Sequence, residues 1–214
     1  MLLVAHRTPL TSSGCARLAA AGATLFEVDV QLSHGSLVVS HFMPLLGLPG
    51  WLEYDNRRLR WTPRARRDPS LHEVSEVVPG DREILLDLKE RSAVRRLELT
   101  RRIAAELLDR PRYRVSGGTA RDLDELRGAG FRTWRTIGSR RDLDVVLAEG
   151  PLRDEAVSVR HALLTRSTVE RLHSIVPTIV AWTVNDLTRA RTLVALGVDG
   201  LTTDDSSVMI RVGP

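Results

Sequence analysis

The chain is short of cysteine, of aromatic residues and of lysine, and each shortage narrows what it can be. It has one cysteine, Cys15, in 214 residues. A lone thiol excludes an internal disulfide framework and suits a reducing compartment, so a cytoplasmic location is expected. Aromatic residues make up only 4% of the chain, too few for the stacking platforms of single-strand nucleic-acid binders. No apolar run is long enough to span a bilayer. The opening "MLLVAHRTPL" has neither the basic start nor the small-residue cleavage site of a secretory signal.

The net charge is +4, but the arginines are spread along the chain, with one local concentration from Arg57 to Arg67. Zinc-finger spacing, a heptad zipper and an aromatic RNA-binding signature are all missing, so no nucleic-acid partner is expected. Of 31 basic residues a single one is lysine, Lys89, at the end of "ILLDLK" beside Asp87. A compact ammonium stands there in a chain that uses the planar guanidinium everywhere else.

Apolar runs alternate with stretches of helical period. Strands are predicted at Leu2–His6, Thr24–Leu32, Ile84–Lys89, Tyr113–Ser116, Phe131–Ile137, Glu155–Arg160, Thr178–Val184 and Val198–Thr202. Helices are predicted at Ser12–Ala21, Ala93–Leu108, Arg121–Gly128, Arg140–Ala148, Thr168–Ser174 and Leu187–Leu196. "SLHE" from Ser70 fits a capping box, and so does "STVE" before the helix at 168. Leu37–His41 adds a hairpin strand after the turn "SHGS". Residues 42–68 read as a long irregular loop. Eight strand–helix units in a chain of this length imply an α/β fold, a (β/α)₈ TIM barrel with a small β-hairpin after strand 2, in a single domain over 1–214. An open doubly wound sheet is disfavoured, because no Gly-rich phosphate loop follows the first strand.

Functional residues of such barrels gather at the C-terminal ends of the strands. Those ends carry His6 and Arg7, Glu27 and Asp29, and Asp87 and Lys89, while His41 closes the hairpin. Side chains alternate across a strand, so Glu27 and Asp29 share one face, with Cα atoms about 7 Å apart. Two carboxylates that close repel unless a positive charge sits between them. A divalent cation held by Glu27, Asp29 and Asp87 satisfies this, and an all-oxygen set suits Mg²⁺ or Ca²⁺. A salt-bridge network with Arg7 and Lys89 is the metal-free alternative. His6 and His41 flank the cluster and suit proton transfer at a phosphodiester, with Arg7 and Lys89 on the phosphate oxygens. His34, His72 and His173 are assigned no role, and His161 is a weak candidate for the site mouth.

The stretches "VAHRT", "FEVDVQL", "LVVSH", "LLDLK", "AWTVND" and "GVDGLTTDD" occur in an order that resembles the glycerophosphodiester phosphodiesterases. "PSLHEV" resembles the segment before that family's third strand. The resemblance implies a (β/α)₈ barrel that hydrolyses glycerophosphodiesters to glycerol 3-phosphate and an alcohol. It implies His6 and His41 as general acid and base, and Glu27, Asp29 and Asp87 as ligands of a divalent cation. Arg7 and Lys89 become phosphate contacts, and Trp182 packs beside the alcohol or glycerol part of the substrate. In related barrels a neighbouring substrate hydroxyl attacks first, giving a cyclic phosphate.

The chain departs from the pattern at Thr8, where the family usually has Gly, and at Phe42, where it has Asp. Asp87 replaces the usual Glu, and "PLTSSG" stands in place of a Glu-Asn-Thr motif. Two other functions are carried forward. One is a lysophospholipase D-like hydrolase, whose acyl chain or membrane surface would meet the apolar residues Leu45, Leu46, Leu48, Trp51 and Trp61 of segment 42–61 in a transient contact; lid packing is the other reading of those residues, and the favoured one. The other is a catalytically silent barrel that binds a phosphate ligand.

Overall fold

The computed structural model describes residues 1–9, 11–33, 35–40, 50–55, 58–63, 68–90 and 92–213, with 50–55 and 58–63 described by their backbone alone. The elements run β1 (Leu2–Ala5), α1 (Ser12–Ala20), β2 (Leu25–Ser33), β3 (Ser36–Val39), β4 (Gly50–Asp55), β5 (Arg58–Pro63), α2 (Leu71–Val77), β6 (Glu83–Leu88) and α3 (Ala93–Glu106). They continue β7 (Tyr113–Gly117), α4 (Ala120–Gly128), β8 (Arg132–Ile137), α5 (Arg140–Glu149), β9 (Ala156–Arg160), α6 (Arg166–His173), β10 (Ile179–Trp182), α7 (Leu187–Ala195), β11 (Gly200–Thr203) and α8 (Ser206–Val212). Short 3₁₀ turns sit at Arg110–Arg112 and His161–Leu163.

Eight strands close in the order β1, β11, β10, β9, β8, β7, β6, β2, all parallel, with β2 returning to β1. This is the expected (β/α)₈ barrel. β3 lies antiparallel on the far end of β2, pairing Val30 with Val39 and Ser33 with Ser36, which is the expected hairpin.

Local chemistry sets the helix boundaries. Thr11 caps α1 by accepting from Gly14 N, and the helix gives way at Gly22, whose φ of 102° suits a residue without a side chain. Ser70 and Glu73 form the expected capping box of α2. The second expected box is corrected. Thr165, not Ser167, caps α6, because its hydroxyl reaches Thr168 N while the chain is still extended. α8 was not expected, and it is seeded by Asp205 accepting from Ser207 N.

The irregular loop over 42–68 is also corrected in part. β4 and β5 form a two-stranded antiparallel sheet of their own, with Gly50 opposite Pro63 and Asp55 opposite Arg58. Arginines alternate with Leu59 and Trp61 in "RLRWT", a strand period in the sequence. The prolines and tryptophans around this stretch disguised that period. His41, and Leu45, Leu46 and Leu48, lie outside the described residues.

The hydrophobic residues divide by direction. Phe26, Val28 and Val30 point outward from β2 into a layer shared with Leu99 and Ile103 of α3. Ile137, Val157, Val159 and Leu201 do the same for the other half of the barrel. Val4, Leu25, Leu85, Trp134, Ala156 and Val180 point inward and fill the barrel itself. Trp134 is fully buried, and truncating it to alanine would cost about 3–5 kcal/mol.

Below that layer Arg114 stacks 5.7 Å over the Trp134 ring and pairs with Glu83 at 2.8 Å and Glu155 at 3.3 Å. Burial pushes the Arg114 guanidinium below its ordinary pKa, and the two carboxylates oppose that fall. The N-terminal end of the barrel is therefore plugged, and access is left to the C-terminal end.

Candidate active site

The same alternation that buries Val28 and Val30 outside the barrel turns Glu27 and Asp29 inward. Both are almost fully buried. Asp87 sits directly beside Asp29 in the β2–β6 register. One carboxylate oxygen from each of the three residues lies within 4.8 Å of the others. The convergence expected from strand spacing is thus present.

Several groups hold the cluster in place. The backbone N–H of Arg7 donates to Glu27 Oε2 at 2.9 Å, from a left-handed conformation at φ 52°. Thr8 donates through Oγ1 to the Glu27 carbonyl at 2.8 Å. It is Arg7, not Thr8, that occupies the left-handed region, so Thr8 meets no backbone penalty. Ser116 Oγ donates to Asp87 Oδ1 at 2.8 Å. Lys89 Nζ lies 3.0 Å from Asp29 Oδ1 and also contacts Asp87 Oδ2. The salt bridge considered as the metal-free alternative therefore exists, and its cation is the lone lysine.

That bridge does not balance the site. Three carboxylates face the charges of Lys89 and Arg7, one short of neutrality. The carboxyl of Glu27 is pushed up to about 7 by burial first and by the charge of Asp87 second. The contacts of Arg7 and Lys89 pull in the other direction without cancelling the rise. A buried, all-oxygen cluster with excess negative charge fits a hard divalent cation.

His6 directly follows β1 and donates from Nδ1 to Asp204 Oδ1 at 2.7 Å. Asn185 Nδ2 donates to the other oxygen of Asp204 at 2.8 Å. Asn185 Oδ1 in turn accepts from Asp204 N and from Thr203 Oγ1, each at 2.9 Å. Burial alone would raise the Asp204 pKa. The hydrogen bond and charge of His6, with the Asn185 bond, hold it below its ordinary value.

All of this opens on one cavity of about 280 Å³. His6, Arg7, Glu27, Asp87, Lys89 and Trp182 line it, so six of the eight predicted site residues share it. Asp29 joins through Lys89, and the eighth, His41, lies outside the described residues. His161 does not reach the cavity; its ring nitrogen meets Arg189 Nε at 3.4 Å. His72 is an exposed partner of Glu76, and His173 bonds the Gly197 carbonyl.

Asp204, Asn185, Ser116, Thr136, Ser158 and Thr202 were missed as site residues. Barrel closure was a usable signal for Asp204. β11 pairs with β1, so the acid that follows β11 must stand beside the histidine that follows β1.

An eight-stranded parallel barrel with acids, a histidine and a lysine at its open end carries its polar cluster where TIM-barrel enzymes place their active sites. Residues 118–208 match the family model described as the Glycerophosphoryl diester phosphodiesterase family, which bears out the resemblance read from the sequence. The match carries Trp182, Asn185 and Asp204, while the acidic cluster lies before it. No curated protein matches the chain.

Solved structures match over nearly the whole length. A glycerophosphodiester phosphodiesterase from Parabacteroides distasonis has a TM-score of 0.73 at 17% identity, covering 99% of this chain and 95% of that one. An Oleispira antarctica phosphodiesterase in complex with the product sn-glycerol-3-phosphate has a TM-score of 0.70 at 16% identity, covering 99% and 95%. A glycerophosphodiester phosphodiesterase from Thermotoga maritima has a TM-score of 0.60 at 23% identity, covering 99% and 98%. At these identities the likeness establishes the fold.

Proposed function

We propose that this chain is a metal-dependent phosphodiesterase that hydrolyses glycerophosphodiesters to sn-glycerol 3-phosphate and an alcohol. One observation carries the reading: Glu27, Asp29 and Asp87 converge within 4.8 Å, and Glu27 and Asp87 line a cavity with His6, Arg7 and Lys89. The Oleispira phosphodiesterase with bound sn-glycerol-3-phosphate supports the product, and the family match over 118–208 supports the reaction class.

Glu27, Asp29 and Asp87 would hold Mg²⁺ or Ca²⁺, which neutralises charge on a phosphate when bound. Arg7 and Lys89 orient the non-bridging oxygens from the rim of the same cavity. Asp204 keeps a proton on His6 Nδ1, so Nε2 is the atom that exchanges a proton with the substrate. His41 is the other half of the pair. One histidine takes the proton of the attacking hydroxyl, and the other gives one to the departing oxygen. We read the whole of 1–214 as one domain, placed in the cytoplasm. Cys15 is buried and its thiol pKa is raised by that burial, which leaves it unreactive. Among the described residues no helix is long and apolar enough to cross a membrane.

A panel of soluble glycerophosphodiesters and lysophospholipids, assayed with Mg²⁺ and with Ca²⁺, tests the reading. Release of sn-glycerol 3-phosphate from the soluble diesters is expected. Cleavage confined to lysophospholipids would replace it with the lysophospholipase D-like reading, and binding of phosphate without turnover would leave the silent barrel.

Lys89 allows a sharper test. Its ammonium touches Asp29 and Asp87 at once, whereas a guanidinium is wider and seeks a fork-shaped partner. Lys89→Arg is expected to fold normally and to lose about a hundredfold in kcat, the scale set by a misplacement near 1 Å. Single-turnover kinetics locate the loss in the chemical step. A fully active Lys89→Arg would make the lone lysine an accident of composition.

A further inference from the structure

The antiparallel pairing of β3 on β2 carries one more polar residue to the acidic cluster. Val30 stands opposite Val39 and Leu32 opposite Leu37, and all four pack in the outer hydrophobic layer. The ladder runs one residue further, because Ser40 N donates to the Asp29 carbonyl at 3.0 Å. Residues directly opposite each other on an antiparallel pair share a face, with Cβ atoms about 5 Å apart. Since Val30 and Val39 face outward, Asp29 and Ser40 share the inward face, where Asp29 meets Glu27 and Asp87.

Ser40 is 4% exposed, and among the described residues its Oγ has no hydrogen-bond partner. Its backbone is fully engaged, since Gln31 Nε2 donates to the Ser40 carbonyl at 2.7 Å. Only the hydroxyl is left over. It stands opposite a carboxylate and does not bond it. A buried hydroxyl in that position costs stability unless a further group completes it. Alanine would fill the place without that cost.

The surroundings limit what the further group is. A buried water can serve both oxygens, but it brings no charge. The cluster needs one, with three carboxylates against Lys89 and Arg7. A hard cation brings charge and takes a lone pair from a hydroxyl as well as from a carboxylate. Mg²⁺ and Ca²⁺ take about six to eight oxygens, more than three side chains supply singly. A fourth carboxylate would add another buried negative charge, whereas a hydroxyl adds an oxygen and no charge.

We infer that Ser40 is a fourth protein ligand of the cation site, a neutral oxygen beside the carboxylates of Glu27, Asp29 and Asp87. The inference rests on the cation reading of those three residues.

Calorimetric titration of the chelated protein with Mg²⁺ alone and with Ca²⁺ alone tests it. Ser40→Ala is expected to bind the parent's preferred cation about tenfold more weakly, the lower end of the loss for a group that supports a metal. Ser40→Cys keeps the volume but presents a soft sulfur. It is expected to lose Mg²⁺ and Ca²⁺ as alanine does, and to gain Cd²⁺. That gain is read as thiolate-to-cadmium charge-transfer absorption, which a merely structural role would not create. The parent is the control, since its one cysteine, Cys15, is buried. Without cation, Ser40→Ala should melt at the parent's temperature or above it, because the change deletes an unpaired hydroxyl.

Parent-like affinity of Ser40→Ala for both cations overturns the ligand and leaves a bridging water in its place. A Ser40→Cys variant whose sulfur takes no Cd²⁺ overturns it as well. So does a lower melting temperature for cation-free Ser40→Ala, because the hydroxyl would then be paired in the free protein. In each of those cases cation binding by the parent still stands. Failure of the parent to bind either cation removes the cation reading and the role of Ser40 with it.

Discussion

Thorough chelation is expected to abolish the proposed hydrolysis and to lower the melting temperature, and Mg²⁺ or Ca²⁺ to restore both. This is the largest effect expected, and it follows from charge. Glu27, Asp29 and Asp87 carry three negative charges within 4.8 Å, and Lys89 and Arg7 return two. Among them the buried carboxyl of Glu27 is pushed up to about 7, by burial first and by the charge of Asp87 second. A cation that binds only the folded protein stabilises it by about 2.7 kcal/mol at a hundred times its dissociation constant. For a chain of this size that corresponds to about 5–10 °C in melting temperature. Calorimetry and initial rates on the same chelated sample check the two halves together. Undiminished turnover with an unchanged melting temperature would return the cluster to a plain salt-bridge network around Lys89.

The charged half of the site was legible in the sequence because it breaks a pattern. A parallel barrel strand buries both faces and should read as a continuous apolar run. Glu27 and Asp29 interrupt such a run twice at the inward period, and Lys89 interrupts the arginine habit of the whole chain. The neutral half breaks nothing. Thr136, Ser158 and Thr202 are ordinary strand residues, and only barrel closure shows that they line one cavity. The barrel itself was readable from eight apolar runs separated by helical periods. The β4–β5 hairpin was not, because prolines, arginines and tryptophans around it carry the signature of a loop. α8 was too short, and too close to the last strand, to show a period of its own.

Asp204 presents the same difficulty in a sharper form, since "TTDD" offers two adjacent acids and nothing in the string separates them. The structure does. Asp205 caps α8, whereas Asp204 turns to His6 and is clamped from behind by Asn185. A group whose folded pKa lies below its ordinary 3.8 contributes stability above its unfolded pKa. It loses that contribution only as the pH falls through the lower folded value. Asp204 is therefore an anion throughout the neutral range, fixed against one nitrogen of the His6 ring. That arrangement fixes the tautomer and the ring plane together.

Asp204→Ala is expected to lower kcat by about two to four orders of magnitude, the range seen when a histidine loses its orienting carboxylate or the acid–base step itself is lost. KM should change little, because Asp204 acts through His6 and not on the substrate. Long-range ¹H–¹⁵N NMR of the neutral ring gives a readout that a structural role would not move. His6 should carry its proton on Nδ1 in the parent and shift toward Nε2 in Asp204→Ala. Asp204→Asn should fall with Asp204→Ala despite its matching size, since an amide can donate to Nδ1 and stabilise the wrong tautomer. If Asp204→Asn keeps full turnover, or if the alanine variant loses melting temperature and KM while its kcat survives, Asp204 belongs to the barrel's closure and not to the positioning of His6.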